Sequence, residues 1–115
     1  ARRLVTRIKA LLAVEHVRVA GDLRRRVERV AVVGGAGGDY VSHAIRRGCQ
    51  LYLTGDVSHH EALEAVAAGL VVVDAGHAAT EQPAMPVLAR RLAELCPGVR
   101  VTAVRARARG PFRIA

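Results

Sequence analysis

His77 and Glu81 stand four residues apart in the pattern H-x-x-x-E. On a helical turn, that spacing directs an imidazole nitrogen and a carboxylate oxygen to one side. Such an N/O donor pair suits Zn, Mn, Fe or Ni better than Ca. Two donors are half a metal site, and the pattern alone is common by chance. Upstream, Thr54-Gly55-Asp56-Val57-Ser58-His59-His60 gathers a carboxylate and two imidazoles. Asp56 and His60 share a face if one helix includes both. A plainer reading of the same segment is a helix start, in which Ser58 and Glu61 match the S-x-x-E capping box and the histidines lie on the surface. Gly34-Gly35-Ala36-Gly37-Gly38 can bring backbone N–H groups close to a phosphate at a helix N-terminus. Its spacing is not the dinucleotide fingerprint, since Tyr40 stands where a third glycine is needed, and it lacks the Lys-Ser/Thr pair of a P-loop. A tight turn that needs glycine for positive φ or close packing explains it more simply.

The elements that must position these residues follow from periodicity. Leu4, Val5, Ile8, Leu11 and Leu12 recur at helical spacing among basic residues, giving an amphipathic helix over 2–14. Residues 16–20 and 27–33 read as strands about the Gly21-Asp22 turn, the second Val-rich enough for a sheet buried on both faces. A helix runs from Asp39 towards Gly48, a short apolar strand covers 51–53, and a helix with Val57, Leu63, Val66 and Ala67 ends at Gly69. A buried strand over 70–73 leads through a turn around 80–82 to a helix from about Pro86, with Met85, Leu88, Leu92 and Leu95 on one face. Residues 99–104 read as a last strand. This alternation predicts an α/β fold in three layers, a parallel or mixed sheet flanked by helices. Ligands of such sheets bind outside the carboxyl ends of the strands. The junctions 34–39, 54–60 and 74–81 are all strand-to-helix, so the three polar or glycine-rich segments share that edge.

The 115 residues fit a single domain, 1–115. Eighteen basic residues against ten acidic give a net charge of +8, which suits nucleic acid as a partner. All but one of the basic residues are arginine beside abundant Ala, Val and Gly, as a GC-rich coding bias would also produce, so the charge is weak support. No apolar run approaches the ~20 residues of a membrane span and no signal peptide is evident, so a cytoplasmic protein without a membrane partner is expected. Cys49 and Cys96 form no C-x-x-C and read as small buried apolar residues. The chain opens at Ala1 with Met85 as its one methionine, as a piece of a longer protein would.

Val30-Ala31-Val32-Val33-Gly34-Gly35-Ala36-Gly37, Leu53-Thr54-Gly55-Asp56 with His60, and Asp74-Ala75-Gly76-His77 with Thr80-Glu81 resemble, in order and spacing, the C-terminal half of the dinuclear metal-centre hexameric proteins. These are the GTP cyclohydrolase I type 2 homologues, NGG-interacting-factor-like. The resemblance implies a cytoplasmic toroidal homo-hexamer, with two divalent metal ions per full-length subunit opening on an inner cavity. His77 and Glu81 fall on its metal ligands, while Thr54, Asp56, His60, Gly35 and Gly37 line the pocket. It implies that the absent N-terminal half of the same protein supplies a paired-histidine motif and an aspartate that complete the site. The piece alone is then expected to hold at most a weak single-metal site and to lack robust catalysis. The implied reaction is metal-dependent hydrolysis of a nucleotide, with His60 or Asp56 moving a proton or positioning substrate and no catalytic residue assigned. A non-enzymatic ring-shaped metal-binding scaffold or regulator, contacting nucleic acid or protein, is the alternative, and a purely structural half-domain the plainest one.

Overall fold

The computed structural model describes residues 1–104. Four strands form one sheet in the order β1-β4-β3-β2. They are β1 (Arg18–Ala20), β2 (Val30–Ala36), β3 (Leu51–Gly55) and β4 (Val71–Asp74). β2, β3 and β4 run parallel, and β1 lies antiparallel on β4, so the sheet is mixed. The helices are α1 (Arg2–Leu12), α2 (Val41–Arg46), α3 (His59–Ala67), α4 (His77–Glu81) and α5 (Met85–Leu95), with 3₁₀ turns before α2 and after α4. The α/β class and the flanking helices match expectation.

Side-chain alternation along β3 and β4 builds the layers. Leu51, Leu53, Val71 and Val73 turn to one face and pack against Val5 and Ile8 of α1. Tyr52 and Val72 turn to the other, against Val41 and Ala44 of α2 and Ala65 of α3. Both central strands are buried throughout, as parallel strands covered on two faces must be.

Several expectations are corrected. β2 is not buried on both faces: it is one of the sheet's two edge strands, with Val30 41 % and Val32 63 % exposed. A Val-rich run reports strand propensity, whereas burial depends on what lies beside the strand. Residues 99–104 form no strand, because the sheet brings no neighbour to them. Leu11 is exposed although α1 is amphipathic, and α5 buries none of its apolar positions. Cys49 is half-buried and Cys96 exposed, so neither is a core residue. Among the described residues, no helix is long and apolar enough to cross a membrane. Residues 105–113, where Arg alternates with Ala and Gly in a basic tail, lie outside the described residues.

Candidate metal centre

The parallel strands end together. Leu53 is level with Val73 and Thr54 with Asp74, while Ala36 is level with Gly55 after an irregularity in β2. The segments after β2, β3 and β4 therefore emerge at one edge, as the alternation of elements predicts.

His77 is the first residue of α4 and Glu81 its last. His77 Nε2 lies 3.2 Å from Glu81 Oε1, and both side chains are about half exposed. Asp56 follows β3 directly, and its Oδ2 lies 2.7 Å from His77 Nδ1. The hydrogen bond that His77 makes to the Asp56 carboxylate, then the charge of Glu81, raises the His77 pKa above its ordinary value.

Thr80, between the two donors on α4, ties the helix to β2. Its hydroxyl accepts the Gly35 N–H at 2.9 Å and is directed at the carbonyls of Gly76 and His77, 3.0 and 2.8 Å away. Gly35 has φ +73°, and a Cβ there would lie 2.6 Å from Glu81 Oε1 and 3.1 Å from His77 Nε2. A side chain at Gly35 would thus fill the space in front of both donors. Thr54 is fully buried and donates to the Gly35 carbonyl at 3.2 Å. Gly37 lies deeper: its carbonyl accepts the Tyr52 hydroxyl at 2.7 Å, and a Cβ on it would collide with the Thr54 hydroxyl. Burial pushes the Tyr52 phenol pKa up. The glycine run thus packs against threonine and tyrosine hydroxyls.

Asp56 and His60 are not on one helical turn. Asp56 has φ +54° and precedes α3, which begins at His59 behind the Ser58 cap. Ser58 and Glu61 form the full capping box. His60 is exposed, with its ring against that of His59 at 5.9 Å between centroids. The structure thus brings together Asp56, His77 and Glu81, with Gly35, Thr54 and Thr80 beneath them, and sets His60 on the neighbouring helix.

Asp74 is the organising residue that spacing did not single out. Its Oδ2 accepts the Val57 N–H at 3.0 Å and its Oδ1 the Gly76 N–H at 2.9 Å, so one buried carboxylate holds the starts of two loops. A carboxylate closing the run Val71-Val72-Val73 is the signal that marks it in the sequence.

The donor set fits a divalent cation in part. Two donors 3.2 Å apart suit one ion with bonds of about 2.0–2.2 Å, and an imidazole with a carboxylate is a common pairing for Zn and its neighbours. Among the described residues, no group of three or more His, Cys, Asp or Glu side chains is placed to share one ion. On their own, His77 and Glu81 would be an incomplete set for a metal ion.

The model of the family Duf34/NIF3 (NGG1p interacting factor 3) matches residues 1–109. A relative named GTP cyclohydrolase 1 type 2 homolog, from Bacillus subtilis (strain 168), is 43 % identical over 89 residues, covering 77 % of this chain and 24 % of the relative. One of the same name from Clostridium acetobutylicum is 32 % identical over 91 residues, covering 79 % of this chain and 34 % of the relative. The crystal structure of a Bacillus cereus protein related to NIF3 superposes with a TM-score of 0.78 at 31 % identity, over 98 % of this chain and 32 % of that one. The chain thus spans about a quarter to a third of these relatives. With nearly its whole length matched, in sequence and in fold, the chain belongs to the Duf34/NIF3 family.

Proposed function

We propose that this chain contributes one arm of a divalent metal centre, His77 and Glu81, to a hydrolase acting on a nucleotide. The observation that carries the reading is the 3.2 Å approach of His77 Nε2 to Glu81 Oε1 at the carboxyl edge of the sheet, with space in front of both kept by Gly35. The remaining donors come from residues outside this chain, which spans only part of its relatives. Two such ions per subunit and assembly as a homo-hexamer in the cytoplasm belong to the same proposal. The uncovered apolar positions of β2 and α5 support further contacts of this kind. The nucleotide, GTP by the relatives' name, is proposed from that name.

A bound cation supplies Lewis acidity towards substrate and water. The protein's own part is to hold donors in place. α4 sets the His77–Glu81 spacing, Thr80 fixes α4 on β2, and Asp74 fixes the turn that precedes it. His60 or Asp56, on the segment after β3, is the group within this chain proposed to position substrate or move a proton. Such acid–base assistance is worth about 10²–10⁴-fold.

The full-length protein that carries this sequence is expected to hold metal by mass spectrometry of the purified material and to turn over GTP. His77→Ala and Glu81→Ala variants that keep their circular dichroism should lose both. GTP turnover undiminished in both variants overturns the reading.

A second reading, a non-enzymatic regulator that contacts nucleic acid, is favoured by four exposed arginines between β1 and β2, namely Arg24, Arg25, Arg26 and Arg29. Two of them are already paired, Arg24 with Asp22 and Arg26 with Glu28, which weakens that surface. Binding carried by these charges must fall steeply with added salt.

A further inference from the structure

Asp56 reaches His77 across 21 positions of sequence, and the chain is shaped to allow it. The backbone of Asp56 is left-handed, with φ +54°, a region in which Asp and Asn are the tolerated residues after glycine. Gly55 before it permits contact between the end of β3 and the turn into α4. A Cβ at Gly55 would lie 2.6 Å from the Gly76 carbonyl carbon and 2.7 Å from the His77 nitrogen. The cap of α3 is Ser58, so the Asp56 carboxylate has no capping role.

The two nitrogens of an imidazole point away from each other, and a neutral ring that donates through one carries its lone pair on the other. Asp56 faces Nδ1 at 2.7 Å and Glu81 faces Nε2 at 3.2 Å. Carboxylates on opposite nitrogens cannot share one ion, in keeping with the absence of a three-donor group among the described residues.

We propose that Asp56 is a positioning residue: by accepting the Nδ1 proton, it holds His77 in the tautomer whose Nε2 lone pair stands beside Glu81, ready for one shared divalent cation. This rests on the reading of His77 and Glu81 as cation ligands and adds what orients them. The second nitrogen of a metal-bound histidine is ordinarily held this way, and losing the partner typically weakens metal affinity about 10–100-fold.

The test uses the protein carrying this sequence, stripped of metal, with two readouts. One is the His77 tautomer from its ¹⁵N ring shifts above the pH at which the ring is neutral. The other is cobalt(II) affinity from absorption titration. Asp56→Gly removes the carboxylate while tolerating the left-handed backbone, and Asp56→Asn keeps both an acceptor oxygen and that tolerance. The wild type is expected to show His77 protonated on Nδ1. Asp56→Gly should lose that preference and about 10–100-fold in cobalt affinity, and Asp56→Asn should recover most of both. A folded Asp56→Gly protein with unchanged tautomer and cobalt affinity overturns the proposal alone. Cobalt affinity no greater in the wild type than in His77→Ala overturns the cation-ligand reading and, with it, this one.

Discussion

The guanidinium of Arg18 on β1 is paired with the carboxylate of Asp74, the last residue of β4. Asp74 is only 6 % exposed, and a buried carboxylate is tolerable only when its lone pairs are met. Here Arg18, the Val57 N–H and the Gly76 N–H meet them. Arg18 also donates to the Val57 carbonyl at 2.9 Å, so the antiparallel edge strand and both loops of the candidate centre meet at one side chain.

Asp74→Ala should therefore destabilise the fold as well as the site. The Val57 and Gly76 donors would lose their acceptor, each at a cost of about 1–3 kcal/mol. Urea denaturation measures the loss, and Asp74→Asn, which retains one acceptor oxygen, should lose less. Equal stability of Asp74→Ala and wild type would show that the carboxylate does not organise these loops.

Gly55→Ala should be costly for a different reason. The added methyl would meet the Gly76–His77 peptide at under 3 Å, and backbone on both sides must move to admit it. Overpacking of this kind costs about 1–3 kcal/mol. Thermal unfolding should register that loss, and metal uptake should fall with it. An alanine here that unfolds at the wild-type temperature would mean that β3 does not touch this turn.

His77 gives a pH dependence whose sign is fixed by its raised pKa, caused first by the Asp56 hydrogen bond and then by the Glu81 charge. A folded value above the unfolded one means that the stabilisation is complete below the ordinary histidine value, about 6.5, and is lost as pH rises through the raised value. In metal-free protein, the His77 ring shifts followed by NMR should show a midpoint above 6.5, lowered in Asp56→Asn. A midpoint at or below 6.5 contradicts the geometry.

Ser58→Ala serves as a control. It removes the capping box of α3 and should cost about 1 kcal/mol by denaturation. Because neither partner of the box touches His77 or Glu81 among the described hydrogen bonds, cobalt affinity should stay within twofold. A large loss of affinity would place the start of α3 in the site.

The layers and the site edge were legible because they rest on local signals. The apolar runs of β3 and β4, the capping box at Ser58 and the strand-to-helix order all sit within a few residues of chain. Relationships across the sheet were not. Asp56 meets His77 only because two parallel strands end level, and no spacing within either segment announces it. Local spacing also left open whether Asp56 shares a helix face with His60, and a left-handed residue ahead of the helix start rules that out. The exposure of Val32 and the lack of a strand at 99–104 have one cause: periodicity names a conformation but not its neighbours.

The shortness of α4 has a thermodynamic consequence. Five residues are far fewer than the ~12–15 at which an isolated helix becomes even marginal, and no side chain caps its start. Nucleation is carried from outside, by Asp74 on the Gly76 N–H and by the Gly35 N–H on Thr80. Cut from the sheet, the H-x-x-x-E string would be a coil with no chelating geometry. Preorganisation of the two donors is thus a property of the assembled strand ends and must vanish, cooperatively, with them.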